Sequence, residues 1–157
     1  MTALVHEDVA DLGPGGALMG LDPGTKTIGV AVSDGLRMTA TALETIRRKK
    51  FSQDAARLAE IATHRDIAGV VIGLPRNMDG SEGPRAQSVR AFARNVASAL
   101  SLPVALWDER LSTVAAERAL LEADTSRARR AEVIDKMAAA IILQGALDRL
   151  CVLASQR

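Results

Sequence analysis

The chain has 157 residues, 48% of them hydrophobic, which suits one compact domain that buries its own core. Twenty Lys and Arg against 19 Asp and Glu give a net charge of +1, so the surface as a whole is no general trap for polyanions, and contacts with nucleic acid must be local. Aromatic residues are only 2% of the chain, which excludes binding of nucleic acid mainly by base stacking.

The cysteine content and the N-terminal residues predict a cytoplasmic protein. Cys151 is the single cysteine and has no partner in the chain for a disulfide, which favours a reducing compartment and argues against a structural zinc site. The first residues include acidic side chains and lack the basic start and apolar run of a signal peptide. No uninterrupted apolar stretch approaches the roughly 18 residues of a membrane span, so no membrane role is expected.

The N-terminal part of the sequence predicts a flexible arm followed by strands. Residues 1–16 mix charges with a Gly-Pro-Gly-Gly segment and are expected to form the arm, so that the folded domain covers 17–157. Residues 17–21 and 27–32 are short apolar runs separated by an Asp-Pro-Gly turn, which predicts two antiparallel strands. Residues 37–46 alternate in character and are expected to form a third strand.

The remainder alternates between helical and strand patterns. An amphipathic helix is predicted from Phe51, and the β-branched run 67–74 predicts a strand covered on both faces at the centre of the sheet. A turn-rich loop at 75–84 leads into a helix with Pro84 in its first turn. The later predictions are a strand at 102–107, a short helix from Ser112 or Thr113 to Leu121, and a long helix from Ser126 to about Leu150. This order predicts an α/β fold with a mixed five-stranded sheet flanked by helices.

Three acidic residues stand next to apolar structure, where a surface charge is less expected. Asp22 directly follows the first strand of the domain, and Glu109 follows the last. Asp135 precedes Ala138, Ala139 and Ile142 at helical spacing, so it lies on an apolar face where a carboxylate is costly to desolvate. Each also has a structural explanation: a turn residue for Asp22, a solvated strand end for Glu109, and a helix-flank ion pair for Asp135.

Converging carboxylates predict a divalent-metal site. Carboxylate oxygens are the ligands that Mg²⁺ and Mn²⁺ prefer, and one or two such ions can hold a phosphodiester and activate a water molecule. That chemistry requires no serine, cysteine or histidine nucleophile. If the three carboxylates meet, the sequence predicts a nuclease.

Four segments of the sequence carry a family resemblance. They are LMGLDPGTKTIGVAVSD, VVIGLPRNMDGSEGPRAQSVRAFA, VALWDERLSTVAAERAL and IDKMAAAIILQGALD, in this order from residue 18 to residue 148. Together they resemble the YqgF family, also called RuvX, of pre-16S ribosomal RNA nucleases. The resemblance implies a ribonuclease H-like fold with Asp22, Glu109 and Asp135 as the catalytic and metal-binding residues. It also implies phosphate contacts by Thr25 and Lys26 and a loop with Asn77 beside the site.

The expected partner is a structured RNA, most simply the 5′ end of pre-16S rRNA or a pre-ribosomal particle, bound by a monomer or weak dimer with Mg²⁺ or Mn²⁺. Basic clusters at 47–50 and around Arg129 and Arg130 are candidate phosphate contacts, although charge runs of this size are common on solvated surfaces. Two alternatives stay open: a Holliday junction resolvase-like DNA nuclease, and a non-catalytic RNA-binding or transcription-associated module. An actin-like ATPase is disfavoured because the chain lacks a second lobe.

Overall fold

A computed structural model describes residues 4–112, 114, 117, 120 and 127–156, with the backbone alone for 127–132. Within the described residues, six strands form one mixed sheet in the order β1-β6-β5-β2-β3-β4. The strands are β1 Val5–His6, β2 Ala17–Pro23, β3 Thr27–Ser33, β4 Ala40–Arg47, β5 Ile67–Leu74 and β6 Val104–Asp108. The α-helices with described bounds are α1 Phe51–His64, α2 Pro84–Leu100 and α3 Arg127–Ser155, and two short 3-10 helices cover Val9–Leu12 and Glu109–Leu111.

The sheet separates two apolar cores. Strands β2, β5 and β6 run parallel to one another, and β3 is antiparallel to both β2 and β4. One face packs against α1 and α2, whose buried side chains include Leu58, Val89 and Phe92. The opposite face packs against α3. Because successive side chains of a strand point to opposite faces, each strand residue is assigned to one of the two cores.

Most predicted elements are confirmed, with boundaries shifted by a few residues. β5 lies between β6 and β2 and is buried along nearly its whole length, as its β-branched run predicts. Pro84 occupies the first turn of α2 behind Gly83, the N-cap residue. The strand predicted at 37–46 begins later, at Ala40, because Asp34 accepts hydrogen bonds from the backbone N–H groups of Met38 and Thr39 and closes a turn there.

The prediction of a five-stranded sheet behind a flexible arm is wrong at the N-terminus. Residues Val5–His6 form a sixth strand that pairs in parallel with β6. Val9 and Leu12, from the following 3-10 helix, are buried in the core beneath α3. The local sequence is rich in Gly and charge, but these two apolar side chains find a partner surface that only the assembled sheet provides. The described part of the segment therefore belongs to the folded domain.

Helix α3 contains an extended apolar stretch. Its stretch Val133–Ser155 is long and apolar enough to cross a membrane by length and composition, although it is interrupted by polar residues. In the structure one face of this helix is buried against the sheet, and its fully buried side chains include Ile142, Leu143 and Leu147. We assign the apolar character of α3 to this packing.

Two predictions fall outside the described residues. The short helix predicted from Ser112 or Thr113 to Leu121 lies largely outside the described residues; Val114, which is described, is buried in the core beneath α3. The predicted helix start at Ser126 is likewise outside, and α3 is described from Arg127 onward.

Candidate active site

Asp22 lies at the carboxyl end of β2 and is only 4% exposed. It pairs with Gly29 of β3. Leu18, four residues earlier on the same strand, belongs to the core beneath α3, so strand alternation places the Asp22 side chain on that face as well. A carboxylate this deeply buried requires compensation, and Asp22 does interact with neighbouring groups.

Asp135 reaches the same region because α3 crosses the sheet over glycines. A side chain at Gly29 would overlap the main-chain carbonyl of Asp135, so the absence of a Cβ lets the helix backbone lie directly on β3. The Thr27 hydroxyl donates a hydrogen bond to Oδ2 of Asp135. Since Gly29 is the register partner of Asp22, the helix brings Asp135 beside the end of β2.

Glu109 enters from the neighbouring parallel strand. It is the first residue of the 3-10 helix that follows β6. A Cβ built on Gly73 would lie 2.9 Å from Oε1 of Glu109, which places this carboxylate over the end of β5 on the α3 face. The last residue pair between β2 and β5 is Leu21 with Ile72. The next residues of the two neighbouring strands are Asp22 and Gly73, so Asp22 lies close to the strand end that Glu109 covers.

The structure thus brings the three predicted acidic residues to one edge of the sheet. Asp22, Glu109 and Asp135 come from β2, the end of β6 and α3, and Gly29 and Gly73 permit the close approach of Asp135 and Glu109 to the sheet. They do not form a ready-made ligand cluster, because among the described residues no group of three or more His, Cys, Asp or Glu is placed to hold a metal ion. We call this arrangement of Asp22, Glu109 and Asp135 the acidic edge.

Asp108 supports the segment that carries Glu109. Its carboxylate accepts hydrogen bonds from the backbone N–H of Arg110 at 3.0 Å and from the Arg110 guanidinium, with Nη2 at 2.7 Å. The guanidinium hydrogen bond is the main reason that the pKa of Asp108 is lowered. Arg76 lies 3.8 Å from the same carboxylate. Asp108 therefore caps the turn at Glu109 and ties it to the 75–83 loop.

The predicted phosphate contacts occupy different positions. Thr25 and Lys26 are exposed on the turn between β2 and β3, immediately after Asp22. Asn77 is exposed in the 75–83 loop, where its side-chain amide donates to the Ser81 hydroxyl at 2.9 Å. The side chains of Arg129 and Arg130 lie outside the described residues. Thr25 and Lys26 thus lie next to the acidic edge in sequence and in the fold.

Comparison with known families gives one match over most of the chain. The profile described as "RuvX: Holliday junction resolvase" matches residues 16–149. The chain belongs to the RuvX family. A relative from Cereibacter sphaeroides (strain ATCC 17025 / ATH 2.4.3), named "Putative pre-16S rRNA nuclease", is 66% identical over 98% of this chain and 99% of its own length. A relative of the same name from Ruegeria pomeroyi is 68% identical over 93% of this chain and 95% of its own.

Solved structures show the same fold at low sequence identity. RuvC from T. thermophilus in complex with a Holliday junction substrate is similar with a TM-score of 0.54 and 14% identity, over 86% of this chain and 96% of that one. A further Thermus thermophilus RuvC structure gives a TM-score of 0.52 at 17% identity, over 87% and 96%. The RuvX chain therefore has the expected ribonuclease H-like fold, with six strands where five were predicted.

Several residues that shape the site were not identified from the sequence. Thr27 and Asp108 support the acidic residues through hydrogen bonds. Gly29 and Gly73 allow Asp135 and Glu109 to approach the sheet closely. A signal for the glycines was available, because a glycine inside an apolar strand run often marks close approach of another backbone. Nothing in the sequence distinguishes Thr27 from the exposed Thr25 two residues earlier.

Proposed function

We propose that this RuvX-family protein is a metal-dependent nuclease that hydrolyses phosphodiester bonds at the 5′ end of pre-16S rRNA in the cytoplasm. The observation that supports the proposal is that Asp22, Glu109 and Asp135 lie at the same end of the sheet, where Gly29 and Gly73 allow α3 and the Glu109 turn to approach closely. The rRNA substrate is supported by relatives that match nearly end to end and carry that name. The free Cys151 is compatible with a reducing compartment.

The donor set fits Mg²⁺ or Mn²⁺. Carboxylate oxygens are hard ligands, and Mg²⁺ usually keeps several waters and binds through one or two carboxylates together with substrate phosphates. An acidic edge that does not supply a complete set of protein ligands is consistent with this mode of Mg²⁺ binding. Such ions, when bound, would polarise the phosphoryl group and lower the pKa of a coordinated water.

The chain's own residues then have separate tasks. Asp22 and Glu109 would hold the divalent ions, with Asp135 as a third carboxylate oriented by the Thr27 hydroxyl. Asp108 would keep the Glu109 turn in place through its bonds to Arg110. Thr25 and Lys26, exposed on the adjoining turn, would contact the phosphate next to the cleaved bond.

The test is cleavage of a 5′-extended 16S precursor fragment by the purified protein in Mg²⁺, in Mn²⁺ and in excess EDTA. Asp22→Asn and Glu109→Gln preserve shape while removing charge and should each lower turnover by at least ~100-fold, a typical loss when electrostatic stabilisation is removed. Asp148→Asn, an exposed carboxylate on α3, is the matched control and should retain full activity. Equal cleavage in EDTA, or normal turnover by Asp22→Asn, contradicts the metal mechanism.

A mobile four-way DNA junction tested under the same conditions addresses the alternative substrate. Holding a junction symmetrically favours an extensive basic surface and a dimer, whereas the net charge here is +1. We expect faster cleavage of the RNA. Symmetric nicking of the junction with the RNA left intact would instead assign the protein as a resolvase, and binding of RNA without any cleavage would assign a non-catalytic module.

A further inference from the structure

A basic cleft lies beside the acidic edge, on the opposite face of the sheet. It has a volume of about 640 Å³. Its lining residues come from the β2–β3 turn, the segment after β4 and the start of α2, and they include Pro23, Gly24, Arg48, Lys49, Arg85 and Phe92. Pro23 directly follows Asp22 in β2, so strand alternation puts the cleft and the Asp22 carboxylate on opposite sides of the same strand end.

The arginines of the cleft are held by backbone carbonyls. Nη1 of Arg48 donates to the carbonyl oxygen of Gly24 at 2.6 Å, and Nη2 of Arg85 donates to that of Pro23 at 3.3 Å. These bonds orient the guanidinium groups without neutralising their charge. Lys49 adds an exposed ammonium group to the same cleft.

Several arginines elsewhere in the chain are paired with carboxylates. Arg57 bonds to Glu44 at 2.5 Å and to Glu60 at 3.0 Å, and Arg90 bonds to Glu82 at 2.7 Å. An arginine already paired with carboxylates has less to gain from a phosphate, because the new contact must replace an existing one. The cleft arginines are therefore better placed to attract an anion.

Part of the cleft is held in place by contacts within the protein. The Arg48 guanidinium stacks on the Phe92 ring, 5.1 Å from its centroid, and the Arg48 backbone N–H donates to the carbonyl oxygen of Lys26 at 2.9 Å. The backbone N–H of Lys49 donates to the carboxylate of Asp54, a residue only 4% exposed at the start of α1. Side chains fixed in advance lose less conformational entropy on binding.

We propose that this cleft binds the phosphodiester backbone of the RNA segment that flanks the cleaved bond, so that the strand crosses the end of β2 between the cleft and the acidic edge. The proposal rests on the nuclease function proposed above and names a second contact surface for the same substrate. Phe92 is buried beneath Arg48 and offers no free face to a base. Contacts are therefore made to phosphates and are independent of base sequence.

The experiment measures RNA affinity in the Asp22→Asn background, where binding is separated from cleavage. The probe is a 5′-extended precursor fragment with a single-stranded flank, titrated by fluorescence anisotropy over a range of salt concentrations in Mg²⁺. Lys49→Gln and Arg85→Gln should each weaken binding about 5- to 10-fold at low salt. Each should also reduce the slope of log K against log salt by about 0.7, the value for one lost contact to single-stranded nucleic acid.

Arg94→Gln is the matched control. Arg94 is exposed on the same helix as Arg85, nine residues later, which is half a turn out of phase and about 13 Å along the axis. Removing this charge should change neither the affinity nor the slope by a comparable amount. Arg48→Gln is a further variant, interpreted only with an unchanged melting temperature because Arg48 also packs on Phe92.

The outcomes separate the two proposals. If the wild-type protein cleaves the RNA while the Lys49 and Arg85 variants bind as tightly as Arg94→Gln, the cleft assignment is wrong and the nuclease stands. If these variants weaken binding of a DNA junction but not of the RNA, the RNA assignment of the cleft is wrong. Absence of both RNA cleavage and RNA binding by the wild-type chain overturns both proposals together.

Discussion

Substitution of Gly73 by alanine would test the placement of Glu109 directly. A Cβ at this position would lie 2.9 Å from Oε1 of Glu109 and 2.6 Å from Cδ1 of Ile142. Both atoms are at the ends of side chains, so they can move while the backbone stays in place. The substitution therefore displaces the proposed metal ligand while leaving the fold intact.

The magnitude follows from these distances. Restoring ordinary contact at about 3.4 Å requires the Glu109 oxygen to move by about 0.5 Å and the Ile142 methyl group by about 0.8 Å. Overpacking of a core costs about 1–3 kcal/mol, and flexible neighbours favour the lower end, partly offset by the gain of replacing a strand glycine. A cost near 1 kcal/mol lowers the melting temperature by about 2–4 °C. A 1 Å misplacement can cost ~100-fold in rate, so about half that distance should cost about 10-fold.

The assay compares kcat/KM for precursor RNA with the melting temperature, for Gly73→Ala and for Gly69→Ala. Gly69 lies four residues earlier on the same strand and face, and a Cβ there would meet Leu18 at 3.2 Å and Leu12 at 3.3 Å. The control should therefore retain near wild-type activity with a small change in stability. Full activity of Gly73→Ala, or an equal loss in both variants, would refute the placement of Glu109 over Gly73.

Three further predictions concern other parts of the molecule. Asp135→Asn should lose at least ~100-fold in activity. It should keep its metal-free melting temperature, because the amide oxygen can still accept the hydrogen bond from the Thr27 hydroxyl. Marked destabilisation would identify Asp135 as a structural ion-pair residue. Glu82 has a pKa lowered from 4.5, mainly by the hydrogen bond from Arg90, so this pair stabilises the fold above about pH 4.5 and its contribution is lost as pH falls through the lowered pKa. The melting-temperature difference between wild type and Arg90→Gln should accordingly shrink on acidification, and a constant difference from pH 7 to pH 3 would contradict the assignment. Leu12→Ala should destabilise the protein by about 2–3 kcal/mol in urea unfolding, because this side chain is buried; an unchanged midpoint would restore the view of the N-terminal segment as a flexible arm.

Local patterns in the sequence determined most of the strands and helices. The β-branched run of β5 predicted its central position, and Pro84 predicted the start of α2, because both signals depend on neighbouring residues only. The acidic residues were identified for a similar reason. Asp22 and Glu109 directly follow apolar strands, and Asp135 lies on an apolar helix face. A charged residue beside apolar neighbours can be recognised from the sequence alone.

Tertiary structure alone decided what surrounds these carboxylates. The pairing of Val5–His6 with β6 depends on a strand a hundred residues away, so the composition of the N-terminal segment predicted an arm instead. The approach of α3 to Gly29, and of Glu109 to Gly73, depends on how a helix and a turn from distant parts of the chain cross the sheet. That Arg48 and Arg85 bond to backbone carbonyls, and to no carboxylate among the described residues, is likewise set by which groups fold beside them, since in sequence they look the same as the paired Arg57 and Arg90. Short-range order is encoded in adjacent residues, whereas a site is assembled from long-range contacts that no single segment specifies.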